Sequence, residues 1–285
     1  MTSVGRRLQI QHHTGYRYAD TVDASFNEVR MTPITGDGQT LIAHQLIVTP
    51  AASLQTYVDY WGAVVQAFDV HVPHVVLEVT AVSTVETPAM PADLPGVPWK
   101  AIHSKDITDA HAEFLALTGY VDDANADPDR ASIVARLAKE ATPKLAARGV
   151  VEAVRNQIAY ASGVTTVYTT AQQAWNSRQG VCQDFTHATL SLLRALGIPA
   201  RYVSGYLHTE HPAIGETVRG ESHAWVEYWD GGWQAVDPTN NRGVGAAHVV
   251  VARGRDYADV PPLKGIYAGG ASEGLGVVVE ITQIK

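Results

Sequence analysis

Four prolines, Pro88, Pro91, Pro95 and Pro98, fall within eleven residues and divide the chain into stretches of different hydrophobic period. Proline fixes φ and lacks an amide donor, so this run cannot continue a strand and favours an extended connection. Before it, residues 8–18, 41–48, 64–70 and 75–85 read as strands. The segments between them carry turn formers such as Thr35-Gly36-Asp37-Gly38, Thr49-Pro50 and Val72-Pro73. Strands at this spacing predict an antiparallel β module, sandwich or barrel-like, over residues 1–90. Residues 91–104 form the expected linker and residues 105–285 a second domain.

Beyond the linker the period becomes helical. Residues 106–117 predict a helix ended by Thr118-Gly119. Asp127-Pro128 is a start signal, with aspartate at the cap and proline in the first turn. Ile133, Val134, Leu137 and Ala138 supply an apolar stripe, and Pro143 is expected to break or kink that helix. Residues 150–160 repeat the pattern with Val151, Val154 and Ile158. Phe185, Thr189, Leu192 and Leu196 follow 4-3-4 spacing until Gly197-Ile198-Pro199 stops the helix. Strands are expected at 201–207, 223–229, 233–236, 248–252 and 275–284, and the glycine-rich stretch 265–276 reads as a flexible connection. Helices followed by an antiparallel sheet define an α+β fold.

With 46% hydrophobic residues, the 285-residue chain has ample material for real cores. A formal charge of -8 without an arginine-rich stripe argues against nucleic acid or an anionic membrane as partner. Residues 1–10 carry no apolar segment of a secretory signal, and no apolar run is long enough to span a bilayer. The single cysteine excludes a disulfide framework and suits a reducing, cytoplasmic location.

That cysteine, Cys182, precedes the first turn of an apolar helix in Gly180-Val181-Cys182-Gln183-Asp184-Phe185. Unsatisfied N–H groups and the positive end of the helix dipole favour its thiolate, although a buried structural thiol is the commoner fate of cysteine. Two partners follow. Residues 223–229 and 233–237 are joined by Asp230-Gly231-Gly232, a hairpin signal. A three-residue loop with a left-handed glycine sets Trp229 against Trp233 and Trp225 against Asp237. His223 then lies diagonal to Asp237, at a Cβ separation of roughly 7 Å, within reach of a carboxylate–imidazole hydrogen bond. A two-residue loop turns Asp237 to the other face.

These residues and their flanks resemble the transglutaminase-like superfamily of papain-type thiol enzymes. The likeness rests on the Cys182 segment, on Gly197-Ile198-Pro199-Ala200-Arg201-Tyr202-Val203-Ser204-Gly205-Tyr206, on Ser222-His223-Ala224-Trp225-Val226-Glu227, and on Trp233-Gln234-Ala235-Val236-Asp237-Pro238-Thr239. The first ninety residues resemble the β module of bacterial members through Tyr16-Arg17-Tyr18, Asn27-Glu28-Val29-Arg30 and Asp59-Tyr60-Trp61-Gly62. Ala63 stands where such members often carry asparagine. A further likeness is Gly254-Arg255-Asp256-Tyr257-Ala258-Asp259-Val260-Pro261-Pro262.

The resemblance implies a Cys182–His223–Asp237 triad that attacks amide carbonyls through a thioester, on a peptide, protein or small amide substrate. Amidase or protease-like hydrolysis is favoured over amine transfer, and a non-catalytic binding protein is the rival class. A side-chain donor to the oxyanion is expected upstream, among Gln157, Tyr160, Gln179 and others. Gln183, Asp184, Trp225, Tyr257 and Asp259 are candidates for substrate contact or support. Simpler readings make Asp184 a helix-dipole or loop anchor, His187 a structural hydrogen bonder, Trp225 a core residue, and Asp256, Tyr257 and Asp259 loop packing. No cofactor and no metal site is expected. His208 with His211, and His71 with His74, have suggestive spacings but neither has an evident third ligand.

Overall fold

The computed structural model describes residues 5–89, 95–208 and 213–285. Six strands lead: β1 (Arg6–Val22), β2 (Ser25–Val29), β3 (Thr40–Thr49), β4 (Gln55–Val58), β5 (Val64–Val70) and β6 (His74–Thr87). Short helices α1 (Trp99–Ile102) and α2 (Lys105–Ala110) follow the prolines, then α3 (Pro128–Leu137) and α4 (Pro143–Gln157). Strand β7 (Ala159–Tyr160), α5 (Ala171–Ser177) and β8 (Gln179–Gly180) lead into α6 (Cys182–Ala195). The remainder is β9 (Ala200–Leu207), β10 (Thr217–Trp229), β11 (Trp233–Asp237), β12 (Arg242–Gly243), β13 (His248–Gly254), β14 (Leu263–Tyr267) and β15 (Ser272–Gln283). The fold is α+β. No described helix is long and apolar enough to cross a membrane.

Several helix signals act as the sequence suggests. Asp127 accepts the Arg130 N–H and Pro128 opens α3. Pro143 does not kink a continuing helix; Thr142 caps α4 and Pro143 occupies its first turn. The expected helix over 106–117 is instead α2 followed by a 3-10 turn at Ala112–Phe114. Helix α5 has a capping box between Thr170 and Gln173 that periodicity alone did not reveal.

The first strands form part of a sandwich. Strands β1, β6 and β3 lie in a nine-stranded sheet, and β14-β2-β5-β4 form a second sheet. Tyr18, Val22, Val29, Met31, Phe68, Val70, Leu77 and Val79 fill the space between them. Residues 265–276 are not merely a loose connection: they include the end of β14, paired with β2, and the start of β15. The two strands from 263 onward thus return to the first ninety residues.

β15 pairs with β1 along one edge and with residues 217–220 of β10 along the other, so one sheet runs from β3 to β12. Past residue 220, β10 exchanges β15 for β9, and from Val226 it also carries β11. Helix α6 is buried all round from Gln183 to Arg194, as a helix enclosed on every side must be. It packs on β9 and β10 and against α3, α4 and α5. Burial of Leu190, Leu192 and Leu193, each at most 1% exposed, is worth about 1.5–3 kcal/mol per side chain. This packing fixes where the N-terminus of α6 points.

Candidate active site

Cys182 opens α6 and is half-buried. Its own N–H and that of Gln183 lie in the first turn, where a helix offers no internal acceptor. Asp184 secures this end: its Oδ2 accepts the Val181 N–H at 2.8 Å and the Thr165 hydroxyl at 2.7 Å. Burial lifts the Asp184 carboxyl above its ordinary range against the pull of these donors. Gln183 donates to Val167 O at 3.0 Å. Asp184 and Gln183 therefore tie the 161–170 loop to the helix start.

The β10–β11 hairpin has the three-residue loop that the triad requires. Trp229 pairs with Trp233 and Val226 with Val236, and Gly231 takes φ of 79°. Asp237 consequently shares a face with Trp225 and His223. His223 Nε2 donates to Asp237 Oδ2 at 2.9 Å, with side chains 1% and 0% exposed.

Nδ1 of His223 is left without a full hydrogen bond, and Cys182 is close enough to act on the ring. Burial pulls the imidazole toward neutrality. Asp237 and the Cys182 sulfur outweigh that pull and push its pKa up to about 10.

Asp237 is itself surrounded by donors. Oδ1 accepts the N–H groups of Thr239 at 3.0 Å and Asn240 at 3.1 Å. Oδ2 also accepts the Asn240 amide at 2.7 Å and His248 Nε2 at 3.3 Å. Burial alone would raise this carboxyl; the donors more than reverse that and hold it far below the usual carboxylate range. Trp225, fully buried, stacks on His223 at 6.2 Å with the ring planes 30° apart, and lies edge-on to His248 at 5.3 Å. Its ring crosses Gly205 so closely that a Cβ there would sit 2.6 Å from Cη2.

A cleft of ≈ 400 Å³ opens beside the sulfur, walled by Tyr160, Arg219, Glu221, Ser222, Val277 and Val279. Trp225 is not a wall of this cleft; it backs the histidine from beneath. Tyr257 and Asp259 are not walls either. The Tyr257 N–H donates to His187 Nε2 at 3.3 Å, and burial together with Tyr16, Tyr120 and Tyr168 pushes the phenol up to about 12. Asp259 grips Arg255 through the backbone at 2.8 Å and the guanidinium at 2.9 and 3.0 Å. Asp256 caps the turn at Ala258.

Of the three donors named upstream, Gln157 spends its amide on Trp175 O at 3.1 Å and Gln179 is exposed. Tyr160 faces the cleft. His71 is exposed, 3.9 Å from Asp69, whereas His74 is buried and bonded to Val72 O at 2.8 Å, so that pair does not converge. His208 Nδ1 meets Arg6 at 3.1 Å; His211 lies outside the described residues. His223, Asp237 and His248 bring three possible ligand atoms within 4.8 Å of one another. The same atoms are the ones joined by the His223–Asp237 and His248–Asp237 hydrogen bonds described above.

The periodicity and spacing did not expose His248, Asn240, Arg219, Glu221, Val277 or Val279. Only Asn240 had a local signal, an aspartate followed by Pro-Thr-Asn, which favours a turn closed on the aspartate side chain. The others come from strands whose pairing is long-range.

Residues 131–238 match the family described as transglutaminase-like superfamily, and residues 8–86 match the bacterial transglutaminase-like N-terminal region. An uncharacterized protein of Mycobacterium leprae is 42% identical over 279 residues, 98% of this chain and 99% of its own. A protein-glutamine gamma-glutamyltransferase of Pseudomonas aeruginosa is 43% identical over 70 residues, 23% of this chain and 10% of its own. A structure described as a candidate cysteine protease from Cytophaga hutchinsonii shares the fold, with a TM-score of 0.78 at 22% identity, covering 100% of this chain and 93% of that one. With its cysteine-enzyme-like fold and both matched regions in order, the chain belongs to the transglutaminase-like superfamily and carries that family's bacterial N-terminal region.

Proposed function

We propose that this protein is a cysteine-dependent enzyme that attacks amide carbonyls through a thioester. The observation that carries the reading is His223, fastened to Asp237 through Nε2 with Nδ1 uncommitted, close enough to Cys182 for the sulfur to act on the ring beside an open cleft. Nδ1 takes the thiol proton, and the sulfur forms a bond to the carbonyl carbon. The oxyanion meets the Cys182 N–H and the Tyr160 hydroxyl. Collapse breaks the C–N bond, and His223 returns its proton to the departing nitrogen. Water, activated by the same ring, then cleaves the thioester.

Hydrolysis is the favoured outcome, on a peptide, protein or small amide. Amine transfer is the second reading, supported by the local likeness to the Pseudomonas aeruginosa gamma-glutamyltransferase. A glutamine-containing peptide assayed for ammonia, with and without a primary amine, separates them. We expect ammonia and a peptide carrying glutamate in place of glutamine in both assays; stoichiometric amine conjugate would shift the assignment to transfer. A binding protein on the same fold would release no ammonia, and Cys182 would react with iodoacetamide only above pH about 8.5.

The oxyanion role of Tyr160 has its own check. Tyr160→Phe keeps the ring and removes one donor, so kcat should fall on the order of 10²-fold while KM changes little. Unchanged kcat would remove Tyr160 from the mechanism.

A further inference from the structure

His248 lies outside the triad implied by the family resemblance, yet it is built into the same buried cluster. It begins β13, its side chain is 2% exposed, and its Nε2 lies 3.3 Å from Asp237 Oδ2. The other ring nitrogen settles the proton's position. The Gly245 N–H points at Nδ1 at 3.3 Å, so Nδ1 is the unprotonated acceptor and Nε2 carries the hydrogen. Backbone bonding holds the same pair together, with His248 N donating to Gly245 O at 2.8 Å.

Burial, His223 and Arg242 hold the pKa of this ring below its ordinary value against the pull of Asp237. A neutral donor suits the place, since it binds the carboxylate without competing with His223 as a cation. Trp225 packs against both rings, edge-on to His248 and stacked at 30° on His223. The strand is secured two residues on, where the Gln39 side chain accepts from Val250 N at 2.8 Å and donates to Val250 O at 2.9 Å. A glutamine of the N-terminal β module thereby anchors the strand that orients the acid of the site.

We infer that His248 is a positioning residue: through its Nε2–H it locks the Asp237 carboxylate in the orientation that holds His223 Nδ1 toward Cys182. This rests on the proposed function above. Oδ2 otherwise has a competing direction, toward the Asn240 amide and the Arg242 side chain at 3.9 Å. Without His248 the carboxylate is free to follow them and the imidazole loses its fixed bearing. Partners one step removed from the reacting groups are commonly worth 10- to 100-fold.

The test reads the thiol directly and needs no knowledge of the substrate. The second-order rate of Cys182 alkylation by iodoacetamide is measured at pH 6 on the full chain and on His248→Phe, His248→Gln and His248→Asn, with thermal melts alongside. The glutamine amide nitrogen reaches the Nε2 position; that of asparagine stops one bond short. We expect His248→Phe and His248→Asn to react at least about tenfold more slowly than the parent, and His248→Gln to recover to within about threefold. Should the phenylalanine variant fail to fold, the glutamine–asparagine contrast carries the result. Equal rates for those two variants, or a parent-like rate in a folded His248→Phe, would overturn the positioning role alone. A parent whose thiol is inert at pH 6 would instead overturn the enzymatic reading and this inference with it.

Discussion

Cys182→Ala should abolish amide cleavage, lowering kcat by at least about 10⁴-fold, while leaving the melting curve nearly unchanged. The two parts have separate causes. All described bond-making passes through the sulfur, and the chain has no second cysteine to substitute for it. The side chain is only half-buried at the first turn of α6, so its loss opens little core volume. Cys182→Ser should be almost as inactive, because a hydroxyl is far less acidic than a thiol and does not form an ion pair with imidazole at neutral pH. Activity retained by either variant, measured with ammonia release from the same glutamine peptide, would place the chemistry elsewhere.

Asp237→Ala is expected to damage both stability and chemistry. The carboxylate is fully buried and receives five donors: two backbone N–H groups, His223, His248 and the Asn240 amide. Removing it leaves all of them without an acceptor, a change of about 3–5 kcal/mol, or roughly 10 °C in Tm for a chain of this size. The activity that remains should be lower by 10²- to 10⁴-fold, on the order found when the orienting acid of a triad is removed. Asp237→Asn is no remedy, since every neighbour donates and an amide in either orientation turns its NH2 toward another donor.

The pH dependence of stability should change with it. The His223 pKa is raised from 6.5 to about 10 on folding, so its stabilisation is complete below about 6.5 and lost as pH climbs through 10. The Asp237 carboxyl is depressed, so its contribution holds above its ordinary value of 3.8 and fades as acid titrates the folded state. The Asp237–His223 contact contributes to both, joined by Cys182 for the histidine and by His248 and Asn240 for the carboxylate. Asp237→Ala should therefore flatten both limbs of the Tm-against-pH curve. A variant curve parallel to the parent's would contradict that account.

What the sequence disclosed about this site follows from how local each signal was. Asp230-Gly231-Gly232 marked the hairpin but left its loop length open, and the pairing of Trp229 with Trp233 supplies the register that brings His223 to Asp237. Asp127-Pro128 and the apolar 4-3-4 pattern located α3 and α6 for equally local reasons. Pro143 was misread because proline serves a helix start as readily as it ends a helix, and the Thr142 cap decides between them. His248 was invisible: its importance comes from β13 lying beside β9, a pairing between residues some forty positions apart. The cleft wall of Val277 and Val279 belongs to a strand whose glycines suggested looseness, and only sheet pairing gives those residues a place.

That last strand has a consequence for how the protein comes into being. Strand β1 leaves the ribosome long before β15, and until β15 arrives β1 has a bare edge and the lower half of β10 has no neighbour. Local turns and helices can form during synthesis, but the junction between the first sheet and the reactive half of the molecule cannot. Closure of such distant pairings is intrinsically slow. The cleft beside Cys182, one wall of which is β15, is therefore among the last features to be completed, and stays open-sided until that strand has docked.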